Sequence, residues 1–120
     1  MSGRRKRTVV DLVDAAHVAR LREAGEPLFG LGTCYITPAV REFLARHGRM
    51  ANSLLGPHCH GDFGELSERD AKANELALLK GGQLTGMHVV EGRRIFVATG
   101  RADKDSVRYV TVMLFAEEVG

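Results

Sequence analysis

Apolar residues recur at helical spacing early in the chain and at alternate positions near its end. Over residues 11–24, Leu12, Ala15, Ala16, Val18, Ala19 and Leu21 form a broad apolar stripe, and Gly25 follows, so a helix is predicted there. Gly25-Glu26-Pro27 reads as a loop. Phe29 to Ile36, closing in Thr33-Cys34-Tyr35-Ile36, reads as a short strand. Thr37 then Pro38 places an N-cap hydroxyl before a proline at the first helical position; Val40, Phe43 and Leu44 give that helix its buried face and Gly48 its end. Ala51 to Leu55 adds a further turn or two, expected to stop before Pro57. Ser67-Glu68-Arg69-Asp70 has capping-box spacing and opens a helix that runs to about Lys80, where Gly81-Gly82 stops it.

From there the period drops to two. Gln83–Val90 and Arg94–Thr99 read as strands joined by Glu91-Gly92, a hairpin turn close in type to Asp-Gly. Gly100–Ser106 is a polar loop. Val107–Phe115 is the last strand, with Tyr109, Thr111, Met113 and Phe115 on one face. The expected fold is α+β: N-terminal helices followed by a three- to four-stranded antiparallel meander, with the helices packed on one face. Residues 1–28 are expected to form a basic tail and helix, and residues 29–120 a single domain.

A length of 120 residues, with 44% hydrophobic and 27% charged residues, suits one globular domain able to bury a core without disulfide or metal. No apolar run is long enough to span a membrane, and no apolar segment of signal-peptide length follows the N-terminus, so a cytoplasmic protein is expected. Cys34 and Cys59 are then expected to be free thiols. The net charge of +2 decides little, but Arg4, Arg5, Lys6 and Arg7 form a basic cluster suited to phosphate contacts or to solubility.

The most informative segment is Pro57-His58-Cys59-His60-Gly61-Asp62-Phe63-Gly64. On an extended backbone His58 and His60 would face the same way, and Cys59 or Cys34 could add a thiolate. Zinc needs three or four such groups, and no Cys-x-x-Cys or His-x-x-x-His pair is present, so neither a metal nor any other cofactor is expected. Asp62, between glycines, is suited to a turn or to orienting His58 for acid–base work. Asn74 lies one helical turn from Asp70, on a face that continues with Ala71, Ala77 and Leu78, so it must find partners. His58, Asp62 and Asn74 are expected to form one polar unit joining the loop to the helix. On the meander, Gly86 and His88 share a face. Arg93, Arg94, Arg101, Lys104 and Arg108 border the sheet. That surface would suit a small ribonuclease, with His58 or His88 as base and Arg94 or Arg108 stabilising the phosphorane; Asp62 completes the set of catalytic candidates. It would equally suit phosphate binding without chemistry, through Asn74, Arg94, Arg101 and Arg108. Walker, dinucleotide and Gly-x-Ser-x-Gly motifs are absent.

From about Leu31 to Glu118 the chain resembles a family of small uncharacterised plasmid-related proteins of bacterial mobile elements. The residues that carry the resemblance are Thr37-Pro38, His58-x-x-Gly61-Asp62-Phe63-Gly64, Asp70-x-x-x-Asn74, Gly81-Gly82, Thr99, Thr111 and Glu117-Glu118. Phe63 stands where the family has tryptophan. Gly86 and His88 stand where it has serine and tyrosine, and the Arg101–Arg108 stretch replaces a shorter loop. The resemblance implies a genomic setting rather than a reaction. Three functions follow as expectations: an accessory protein that binds nucleic acid or a protein partner, a metal-independent ribonuclease of the RelE/barnase-like type, and a zinc-stabilised interaction module. A homodimer through a sheet edge is a further expected association.

Overall fold

The computed structural model describes residues 15–119; the basic cluster at Arg4–Arg7 and the start of the first helix lie outside that range. The first helix, α1, covers residues 15–24 and ends where Gly25 takes a φ of +70°. Strand β1 (Thr33–Ile36) follows, then α2 (Pro38–Arg46), α3 (Asn52–Cys59) and α4 (Glu68–Lys80). The remaining strands are β2 (Leu84–Val90), β3 (Arg93–Thr99) and β4 (Val110–Phe115), and a short 3₁₀ turn closes the chain at Ala116–Glu118.

Local signals set several boundaries. The Thr37 hydroxyl accepts the Val40 N–H and the Ser67 hydroxyl accepts the Asp70 N–H, capping α2 and α4. Gly81, at φ +81°, ends α4 in a left-handed cap. Glu91 and Gly92 have φ of 47° and 77°, the pattern of the primed hairpin turn expected between β2 and β3.

The α+β class holds, but the sheet is mixed and the helices are not grouped ahead of it. Its order is β1-β4-β3-β2: the three later strands form the antiparallel meander, and β1 joins its far side parallel to β4, with Thr33 opposite Val110 and Ile36 opposite Met113. The chain between these parallel neighbours runs through α2, α3, α4 and then the β2–β3 hairpin. The last strand begins at Val110 rather than Val107. Ser106 takes a φ of +64° and Arg108 turns inward, which keeps residues 107–109 out of the strand, although the Tyr109 carbonyl already accepts the Thr33 N–H.

The main core lies between α2, α3 and one face of the sheet, built from Val40, Phe43, Leu44, Leu54, Leu55 and the inward residues Ile95, Val97, Met113 and Phe115. A smaller cluster of Phe63, Ala77 and Leu84 packs under α4. The helix before the expected stop at Pro57 runs through that proline to Cys59. A proline inside a helix costs about 3 kcal/mol. Burial of Leu54, Leu55, His58 and Cys59 along α3 outweighs it.

Candidate functional site

The extension of α3 through Pro57 changes what the His58–Gly64 segment is. His58 lies on the last turn of a helix, so His58 and His60 do not share a side as they would on a strand. His58 is 0% exposed. His60 is exposed, with Nδ1 against the Gly56 carbonyl at 2.7 Å, and the Cys59 thiol donates to the same carbonyl at 3.3 Å. The His58–His60–Cys59 metal set therefore does not form, and no cluster of three metal-ligating side chains occurs among the described residues.

Gly61 and Asp62 close α3. The Gly61 N–H donates to the His58 carbonyl and the Asp62 N–H to the Pro57 carbonyl, the paired bonds of a Schellman motif, with Gly61 at φ +92°. The chain then turns along β2. The Met87 N–H donates to the Phe63 carbonyl at 2.8 Å, and the Glu65 N–H donates to the Met87 carbonyl at 2.7 Å. Gly64 sits between them at φ +74°, where a Cβ would lie 2.1 Å from the Met87 oxygen. Asp62 does not orient His58. It is exposed, and its carboxylate accepts the Gly64 N–H at 3.0 Å.

Asn74 is 4% exposed and faces β2, not the loop. Its Nδ2 donates to the Thr85 carbonyl at 2.8 Å and its Oδ1 accepts the Thr85 N–H at 3.2 Å, so the side chain pairs with the strand as a neighbouring backbone would. Asp70 is exposed and takes no part. The expected His58–Asp62–Asn74 unit is thus three separate arrangements with three separate partners.

His58 Nε2 lies 3.0 Å from Thr99 Oγ1, which lies 2.8 Å from Thr111 Oγ1; Thr111 donates to the Leu31 carbonyl at 2.7 Å. A hydroxyl has one proton. Thr111 uses its proton on Leu31, so Thr99 must donate to Thr111, and His58 must donate from Nε2 to Thr99. The chain fixes the His58 tautomer and leaves Nδ1 as a lone pair. That Nδ1 and His88 Nε2 are both buried without a hydrogen-bond partner. Both face Gly86, where a Cβ would lie 3.1 Å from His58 Nδ1, 3.3 Å from His88 Nε2 and 3.2 Å from the Phe63 carbonyl. Phe29 and Phe63 stand edge-on to the His58 ring, each at 5.3 Å. Burial, with a smaller contribution from His88, pushes His58 down to about 4. Burial also lowers His88, helped by Arg49 and opposed by the carboxylate of Asp62. His58 is neutral at pH 7 and sealed from solvent, and in that state it cannot reach a substrate.

The basic border divides. Arg108 is buried and donates to the carbonyls of Ala77 (3.1 Å), Gly82 (2.6 Å) and Gly100 (2.9 Å), with its guanidinium over the Phe29 ring. It clamps the C-terminal end of α4, where the helix dipole favours a cation, and it is not available to phosphate. Arg93 lies 3.7 Å over the Phe115 ring and pairs with Glu117 at 2.7 Å. Arg94, Arg101 and Lys104 are exposed.

A further surface carries few titratable residues. The face of the sheet away from the core carries Val89, Phe96, Val112, Leu114 and Tyr35, none of which belongs to either core cluster, and Met87 on the same side is buried beside the Phe63–Glu65 backbone. Tyr35 is 59% exposed and Val89 43%. Arg94 stands among them, beside Val89 in the register. Along β2 this face meets α4 in a groove of about 500 Å3 lined by Glu65, Asp70, Asn74, Thr85, Arg94 and Phe96. The signal was present in the strands, whose alternate positions are apolar on both faces rather than on one. No family model, curated protein or solved structure matches the chain.

Proposed function

We propose that this chain is a non-enzymatic accessory protein, of the mobile-element kind its sequence resembles, which docks a protein partner on the outer face of its sheet. The observation that carries this reading is the apolar outer face. A contiguous apolar patch on a small domain marks an interaction site more often than it marks nothing. Its composition of aliphatic residues, Phe, Tyr and one Arg matches the centre of a protein interface, where Lys and Glu are depleted. Nucleic acid would ask for several phosphate contacts, and Arg94 is the one cation on the strand positions of this face. The acid–base reading loses support because His58 is sealed and Arg108 is held by three carbonyls.

The test is to titrate the chain against proteins encoded beside it, and against RNA and DNA at low salt. Leu114→Glu and Val112→Glu are expected to weaken the protein complex by tenfold or more, about 1.4 kcal/mol or above, while far-UV circular dichroism stays unchanged. Binding of nucleic acid alone, unaffected by either substitution, would overturn this function.

A further inference from the structure

The two edges of the sheet are unlike. At β2 two of the outward residues have their peptide groups occupied: Thr85 by the Asn74 amide, and Met87 by Phe63 and Glu65. At β1 no described residue occupies the outward groups. Thr33 donates to the Tyr109 carbonyl and Thr37 to the Met113 carbonyl, so the odd-numbered residues turn to β4, and Cys34 and Ile36 present their N–H and C=O outward. Natural edge strands are usually guarded by shortness, lysine, an internal proline or a bulge. Thr33-Cys34-Tyr35-Ile36 has only its shortness.

A second observation falls at the same place. Of the eight exposed large hydrophobic residues among those described, three lie at this margin: Tyr35, Tyr109 and Val110. Val110 sits directly across from Thr33 in the parallel register. Gly32, at φ +66°, lets β1 approach so closely that a Cβ there would lie 2.3 Å from the Tyr109 backbone, which holds the open strand and the exposed side chains together.

We propose that β1 is a homodimerisation strand: two copies pair their β1 strands antiparallel about a two-fold axis between their Tyr35 residues. The register follows from which groups face outward. Cys34 of each copy lies opposite Ile36 of the other and exchanges both backbone bonds with it. Tyr35 faces Tyr35 as a non-hydrogen-bonded pair, with Cα atoms about 4.5 Å apart. An identical strand suits this edge better than an unrelated one. β1 is short, bounded by Gly32 and by Thr37-Pro38, so few backbone bonds are on offer, and the remaining stabilisation must come from side chains beside them. A second copy brings its own Tyr35, Tyr109 and Val110 to the junction, and the symmetry makes the contact self-complementary. The outer faces stay open in this arrangement and join across the junction, so the dimer and the partner-binding reading stand or fall separately.

Sedimentation and disulfide trapping test it. The wild type is expected to sediment as a dimer at about 100 µM, a concentration that reaches the weak end of specific interfaces. Cys34→Pro removes an outward N–H at a position where edge strands tolerate proline, and is expected to be monomeric with unchanged circular dichroism. Tyr35→Cys in a Cys34→Ser background is expected to form a disulfide-linked dimer under mild oxidation, since the paired Cα atoms lie within disulfide range; Cys34→Ser alone should not. A wild type that is monomeric at that concentration overturns the proposal. So does a dimer whose Tyr35→Cys form does not cross-link, because its contact lies elsewhere.

Discussion

His58 donates its Nε2 proton to Thr99 Oγ1 across 3.0 Å, at a site with no solvent exposure, and that burial shapes how the protein responds to acid. The folded state holds His58 near 4, below the ordinary 6.5 of the unfolded chain. Between those values the unfolded chain binds the proton and the folded one does not. Stability from this group is therefore full above 6.5 and is lost as pH falls toward 4. From pH 7.5 to 4.5 the loss is about 2.5 kcal/mol. Urea denaturation at the two pH values, with wild type and His58→Met, measures it; equal pH dependence in both proteins would show that His58 is not responsible.

Asn74 acts as a fragment of strand at the edge of β2. In Asn74→Leu the Thr85 N–H and C=O lose their partners, a change expected to cost about 2–4 kcal/mol. Amide hydrogen exchange at Thr85 should accelerate before that of Val97 in the sheet centre. Unchanged protection at Thr85 would mean that another group satisfies it.

Two glycines with similar backbone angles should differ sharply. Gly92 has φ +77° and open space around it, so Gly92→Ala is expected to cost about 1 kcal/mol. Gly64 has φ +74° and the Met87 carbonyl where a Cβ would go, so Gly64→Ala is expected to cost about 3 kcal/mol or more. Thermal unfolding of the two variants side by side distinguishes local strain from the close approach of the loop to β2.

Arg108 separates a structural guanidinium from a binding one. Arg108→Met removes donors from three carbonyls and is expected to destabilise the fold by about 2–4 kcal/mol. Arg94→Met, at an exposed position, should leave stability within about 0.5 kcal/mol and weaken partner binding instead. A stable Arg108→Met protein that had lost nucleic-acid binding would restore Arg108 as a phosphate ligand.

What the sequence made legible was what local chemistry decides. Thr37-Pro38, Ser67, Gly81 and Glu91-Gly92 each determine a cap or turn within a few residues, and each is found where expected. The sheet's closure was not legible, because the pairing of β1 with β4 joins residues far apart and leaves no periodic trace in either strand. Pro57 misled for the opposite reason: the local rule is real, but burial of His58 and Cys59 beyond it was the larger effect. At the site, the spacing from His58 to Asn74 suggested one polar unit, and the three residues instead have separate partners. It could not show that Thr99 and Thr111, apart in sequence, complete the His58 arrangement. Their inward alternation with Val97 and Met113 was the available clue, since a buried threonine needs a partner.

The amide of Asn74 has a reach beyond the helix it anchors. With Phe63 and Glu65 it leaves β2 unable to accept another strand. Open-ended stacking of chains into fibrils requires two receptive edges on every molecule. Among the described residues β1 is the receptive edge, so edge-to-edge growth is expected to terminate after one addition, and the Asn74 side chain and the Phe63–Glu65 backbone together protect a concentrated solution of the native chain from polymerising.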